Sequence, residues 1–143
     1  MLSPGGYAAL STWDAPERGR LAGVFAQAVA EVGAPPPGGV PPGPPFFRFS
    51  DDAEFARLFG DVGLRDVNVR TVSFTHHVAT VDELWDGVLG GTVRVRAMVL
   101  SQPEQTRARI RSTFDRLVAE YAAGRGYDIP VSVKVVSGRK PAS

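Results

Sequence analysis

His76 and His77 are the only histidines of the chain, and an adjacent pair is the first place to look for acid–base or metal chemistry. An imidazole titrating near its ordinary value of about 6.5 suits a general base. On a strand, however, neighbours point to opposite faces, so the two cannot hold one metal together, and no HExxH-type spacing ties either to a carboxylate. No metal site is therefore expected. The functional reading is a general base at a strand end; the plain one is a packed histidine beside a solvated one. Trp13, which ends the apolar run "YAALSTW", and Trp85, in "DELWDGVLGG", could line an apolar pocket or simply fill a core.

Other chemistries find no support. The chain has no cysteine, which removes disulfides, thiolate metal sites and cysteine nucleophiles, and agrees with a cytoplasmic protein. No GxSxG elbow presents a serine, and no GxGxxG or GxxxxGK[ST] run cradles a phosphate. "LSPGG" and "LGGT" read as plain turns. Sixteen basic against fifteen acidic residues leave a net charge of +1, so nothing points to nucleic acid. The basic groups of "RARIR" and "GRK" fit a solvated helix face and a chain end. No apolar stretch approaches the roughly 20 residues of a membrane span, and no secretory leader is visible. The expectation is one globular domain over residues 1–143, without nucleic-acid or membrane partners.

Several elements must position these residues. Four segments open with Ser, Thr or Asp followed three residues later by Glu, the capping-box signature of a helix start. They are Asp14 with Glu17, Asp51 with Glu54, Thr80 with Glu83, and Ser101 with Glu104. Behind the first, Leu21, Val24, Phe25, Ala28, Val29 and Val32 share a helix face that Gly33 ends. Phe55, Leu58, Phe59 and Val62 follow the second, with Phe49 and Leu64 placed to staple and seal it. Leu84, Trp85, Val88 and Leu89 follow the third as far as Gly90-Gly91, after which "TVRVRAMVL" fits a resumed helix or a strand. Ile110, Phe114, Leu117, Val118 and Tyr121 follow the fourth.

Three strands are expected between the helices. "YAALSTW" reads as a strand buried on both faces of a parallel sheet. In "VNVRTVSFTHHV" the apolar parity shifts from Val67 and Val69 to Val72, Phe74 and Val78, implying a bulge or a change in the covered face. "YDIPVSVKVV" sets Ile129, Val131, Val133 and Val135 on one face, with Pro130 at its first residue or on an edge. Residues 34–45, "APPPGGVPPGPP", form a stiff Pro/Gly-rich connector, with a weaker alternative as a ligand for a proline-recognition domain. Strands separated by helices imply an α/β sheet.

This succession resembles the C-terminal half of a class I S-adenosylmethionine-dependent methyltransferase, of the small-molecule type found in ubiquinone and menaquinone biosynthesis. The likeness rests on the "LSPGG" turn, the strand ending at Trp13-Asp14, "FRFSDDAEFARLFGDVGLRDVNV", "DELWDGVLGG" and "IPVSVKVVSGRK", and it covers nearly the whole chain. It implies a partial Rossmann-like sheet of three strands, the fifth to seventh of the family, with the last one antiparallel and inserted between the other two. Residues 80–121 become a helical cap insertion. Trp13, Asp14, His76, His77 and Trp85 become candidates for an acceptor pocket, with no catalytic residue assigned. The family's cofactor loop belongs to its first four strands, so the resemblance implies a chain that does not bind S-adenosylmethionine by itself and is inactive alone. The partners it implies are a small-molecule acceptor and either a second copy of the chain or a separately encoded N-terminal half. A non-catalytic α/β binding or dimerisation module is the alternative.

Overall fold

The computed structural model describes residues 2–38 and 43–142. In chain order the elements are β1 (Tyr7–Trp13), α1 (Arg20–Val32), a 3-10 turn at Arg48–Ser50, α2 (Asp52–Gly60), β2 (Arg65–Val78), α3 (Val81–Gly91), α4 (Val93–Leu100), α5 (Glu104–Ala119), β3 (Ala122–Ala123) and β4 (Gly126–Arg139). The fold is mixed α/β, with an open antiparallel sheet of four strands and five α-helices among the described residues.

The three long strands lie in the order β1-β4-β2, and the short β3 pairs with the start of β4. β1 runs antiparallel to β4 in a register from Tyr7 beside Arg139 to Trp13 beside Val133. On the other flank Thr71 reaches Lys134 and Ser73 reaches Ser132. Numbers rise along β2 as they fall along β4, which makes this pair antiparallel too and puts Val72 beside Val133. β1 and β2 are therefore parallel to each other, with the last strand between them.

Two compact units divide the chain: residues 1–19, 43–74 and 131–143 form one, and residues 20–42 and 75–130 the other. In the first, α2 lays Phe55 and Phe59 on Val136, with Ala8, Phe49, Leu64, Val67 and Val69 around them. Asp51 caps this helix by accepting from the Glu54 N–H at 2.8 Å, and Gly63, at φ 81°, turns the chain out so that Leu64 N–H meets the Phe59 carbonyl. The opening "LSPGG" is a turn whose Gly6 N–H donates to Ser3 and whose Gly6 carbonyl accepts from Lys140, tying it to the end of β4.

In the second unit α1 and α5 pack along each other around Val24, Phe25, Ala28, Ile110, Phe114, Leu117 and Val118. Leu84, Val99, Val78 and Ile129 complete this core. Thr80 caps α3 through the Glu83 N–H at 3.1 Å, while the Glu83 carboxylate accepts from Ala79 N–H at 2.8 Å. After Gly91 the chain resumes as α4, so "TVRVRAMVL" takes the helical alternative.

Four local expectations are corrected. The Asp14–Glu17 box does not form: α1 begins only at Arg20, because the Asp14 carboxylate is occupied by Ala15 N–H and by Arg18. The Ser101–Glu104 box fails as well. Pro103 holds the N-cap position of α5 without a side-chain cap, and the Ser101 hydroxyl is spent on the Met98 carbonyl at the end of α4. β1 is not buried on both faces; among the described residues it is the sheet's edge, and Tyr7 and Leu10 are 69% and 52% exposed. Pro130 is neither first nor on an edge strand; it lies between the stretch of β4 that pairs with β3 and the stretch that pairs with β1, where it interrupts neither ladder. The parity shift in β2 is a change of face within one continuous strand. Val67 and Val69 meet the α2 side, whereas Val72 and Phe74 stand on the other side and are exposed. Of the connector 34–45, residues 39–42 lie outside the described residues, and the rest is neither helix nor strand.

Candidate functional site

The α2-side face of the first unit changes character along the strands. From the register, Ala8, Gly138 and Val67, and then Val136 and Val69, form apolar rows under Phe55 and Phe59, while Leu10, at the edge of the second row, is 52% exposed. The next rows are Thr12–Lys134–Thr71 and Asp14–Ser132–Ser73, and they are polar. Alternation puts all of these side chains on one face. The polar rows fall at the carboxyl end of β1 and beside the N-terminus of α2, and they hold the most deeply buried charges of the unit: Asp14 is 0% and Lys134 6% exposed.

Asp14 is the centre. Its Oδ1 accepts from Ala15 N–H at 2.8 Å and from Arg18 Nη2 at 2.7 Å; its Oδ2 accepts from Arg18 Nε at 2.7 Å and from the Ser132 hydroxyl at 2.7 Å. Ser132 and Ser73 hydroxyls lie 3.2 Å apart. Lys134 Nζ donates to Thr71 Oγ1 at 2.8 Å, pairs with Asp52 Oδ1 at 2.7 Å, and stands 4.0 Å from Asp14. The forked Arg18 guanidinium holds the Asp14 carboxyl well below the usual carboxylate range. Burial opposes this, and Ser132, Ala15 N–H and Lys134 add to it. With four donors on its two oxygens, Asp14 is a clamp that ties the β1–α1 connection to β4; a carboxylate so stabilised is a poor base. No buried side-chain nitrogen or oxygen lacks a partner among the described residues. What this end offers a ligand is its rim: Thr71, Ser73, Arg18 and Asp52, all exposed.

The chain matches no family model and no curated protein.

The residues singled out from the sequence are distributed as follows. Trp13 and Asp14 belong to the first unit; His76, His77 and Trp85 belong to the second. Trp13 is half-buried and lies beside Val133, on the face opposite that of Ser132. His76 is exposed and has no polar partner among the described residues. His77 Nδ1 donates to Asp128 Oδ1 at 2.8 Å, with both side chains about half exposed, a surface pair of small energetic weight. Trp85 sits in an aromatic cluster, stacked on Phe25 at 5.2 Å and edge-on to Phe114 at 5.2 Å, with the Arg111 guanidinium 5.2 Å from its ring centre. Arg111 is itself held by Asp82 and by Asp115. No cluster of three or more metal-ligating side chains occurs among the described residues.

The sequence singles out Asp14 as an acceptor-pocket candidate, whereas in the structure its oxygens are filled by Ala15, Arg18 and Ser132. Sequence reasoning does not pick Ser132, Lys134, Thr71, Ser73 or Arg18. Ser132 and Lys134 alternate with valines and read as the wet face of a strand. The available signal was a lysine in the middle of "VSVKVV", whose burial demands an acid from elsewhere in the chain.

Proposed function

We propose that this chain is the acceptor-side part of a methyl-transfer enzyme of the S-adenosylmethionine-dependent type, acting on a small molecule and completed by a second polypeptide that carries the cofactor. One observation supports this above others: the last strand lies antiparallel between two mutually parallel strands, in the order β1-β4-β2. That is the strand order of the closing part of the sheet the sequence resembles. A doubly wound sheet has further strands and helices on both faces, and the first unit leaves room for them. β1 has a strand on one side only among the described residues, and its run of seven residues contains neither charge nor proline. Edges so unprotected are ordinarily covered.

The residues present do not make a cradle for S-adenosylmethionine. In the β1–α1 connection the Asp14 oxygens are already filled, and a Cβ on Gly19 would stand 3.0 Å from the Ser132 carbonyl, so this glycine serves close packing on β4. In the proposed enzyme this chain holds and orients the acceptor, with the rim of the polar rows of the first unit, Thr71, Ser73, Arg18 and Asp52, as its contribution. Alignment is the larger part of what such a transfer needs.

The chain purified with its native partners should transfer a labelled methyl group from S-adenosylmethionine to a small molecule extracted from the same cells, and the isolated chain should not. Saturable micromolar binding of S-adenosylmethionine to the isolated chain, read by titration calorimetry, would overturn the division of labour. The non-catalytic dimerisation module is kept as a second reading because β1 is self-complementary: antiparallel pairing about Leu10 sets Tyr7 against Trp13 of a second copy. A homo-oligomer found without any methyl transfer decides for it.

A further inference from the structure

The last turn of α3 and the outer side of α4 line a shallow, open groove of about 340 Å³, bounded by Gly90, Gly91, Thr92, Val93, Arg96, Ala97 and Leu100. Positions 93, 96, 97 and 100 recur at i, i+3, i+4 and i+7, a stripe on one side of a helix. This stripe is apolar apart from Arg96, yet it faces outward: Val93 is 86% and Leu100 49% exposed. The opposite side of α4 carries Val95 and Val99 into the core. A short helix with apolar residues on its solvent side as well as its core side has more apolar surface than folding alone requires. At Gly90 and Gly91 an added Cβ would meet nothing within 4 Å, so these exposed glycines leave open space along one side of the groove.

Charge identifies the occupant. The Thr92 hydroxyl is engaged by the Val88 carbonyl at 2.8 Å. Arg96 has no hydrogen-bond or ion-pair partner among the described residues, and the lining contains no carboxylate. A second copy docking through this stripe on a two-fold axis would set one Arg96 against the other, since the stripe is centred on Arg96 and Ala97; like charges at close range disfavour that pairing. The volume lies at the low end of the roughly 300–1,000 Å³ of small-molecule sites. We propose that this groove binds a small amphipathic anion, with its apolar body on Val93, Ala97 and Leu100 and its carboxylate or phosphate on the Arg96 guanidinium, which suits either oxyanion through paired N–H donors. The proposal does not depend on the methyl-transfer reading.

The test is an amide-resolved NMR titration of the full chain with octanoate, octylphosphate, octanol and octylammonium. Octanoate and octylphosphate should move the Gly90, Gly91, Thr92 and Ala97 signals saturably, with affinity about tenfold above octanol, and octylammonium should bind no better than octanol. Arg96→Gln should bring the anions down to the octanol level. Arg94→Gln, which alters an exposed arginine outside the lining, should leave them unchanged, and both substitutions are at surface positions the fold tolerates. Equal affinities for octanoate and octanol, no saturable change at those amides, or full anion binding by Arg96→Gln would each overturn the proposal. So would protein-concentration-dependent shifts of the same amides without ligand, which would mean a second copy occupies the groove.

Discussion

Asp14→Asn is the substitution that reads the polar rows most directly, because it preserves shape and removes one charge. The carboxylate accepts from Ala15, Ser132 and twice from Arg18. An amide has one oxygen, so whichever way it is turned its nitrogen confronts donors. A hydrogen bond to a charged group contributes about 1.5–3 kcal/mol, and breaking a buried ion pair from one side costs about 3–5 kcal/mol. Arg18 is exposed and Lys134 keeps Asp52 and Thr71, so the lower end applies and the expected loss is about 3 kcal/mol. The pH dependence carries its own sign. A carboxyl whose folded-state pKa is depressed contributes fully above its unfolded value, near 3.9, and loses that contribution as the pH falls toward the folded value. At about pH 3 the wild type should therefore have surrendered about 1.2 kcal/mol of Asp14's contribution, the 0.9 unit below the free value at 1.36 kcal/mol per unit. The asparagine variant has nothing to surrender there, so the gap between the two should narrow by that amount. Urea unfolding followed by tryptophan fluorescence measures it, with Trp13 in the first unit and Trp85 in the second. A gap below about 1 kcal/mol at neutral pH, or one that stays constant on acidification, refutes the assignment of Asp14 as a charged clamp.

Phe114→Ala should cost about 3–5 kcal/mol in the same assay, because the ring is fully buried between Phe25 and Trp85. Gly138→Ala should destabilise by about 1–3 kcal/mol, since the new Cβ would lie 2.9 Å from the Phe59 ring and 3.2 Å from Leu64 Cβ. Gly87→Ala should instead stabilise α3 by up to about 1 kcal/mol, there being open space around that glycine in a helix interior. Leu10→Lys, at a position 52% exposed on the sheet's edge, should leave the unfolding midpoint nearly unchanged while reducing self-association in sedimentation, if β1 is the surface that pairs.

Much of the fold was legible because it depends on local signals. The cap at Asp51, the cap at Thr80, the glycine stops at Gly33 and Gly63 and the apolar stripes of α1 and α5 are all set by residues within one or two turns of one another. The Asp14 and Ser101 boxes failed for a related reason: each side chain had a competing acceptor or donor nearby, Arg18 for one and the Met98 carbonyl for the other. Local pattern proposes a partner without excluding the alternatives.

The candidate site was harder to read, since it is made by register. In "VSVKVV" alternation correctly separates Val131, Val133 and Val135 from Ser132, Lys134 and Val136, but it does not say which set is covered. The usual rule puts valines inside, yet Ser132 and Lys134 are 2% and 6% exposed while Val133 and Val135 are only half-buried. The inversion follows from two distant contributions. α2 brings Phe55 and Phe59 onto Val136, so the face that carries Val136 must be the inner one, and Asp14, 118 positions from Ser132, supplies the charge that lets a lysine and a serine lie beneath it. A strand face can be polar and still be the inside whenever its partners arrive across the sheet. The same logic explains the opposite face. There the row Trp13–Val133–Val72, with Phe74 beyond it, is apolar, and Val72 and Phe74 are 46% and 53% exposed. Val131 on this face is buried, but Val72 and Phe74 leave an apolar patch on which a further layer would pack in the enzyme proposed above. A partner that protects Val72 and Phe74, together with the β1 amides, from solvent in hydrogen-exchange and footprinting measurements is thus the expected outcome for the assembled protein, and a partner that leaves both untouched would sever the link between this sheet and the enzyme proposed for it.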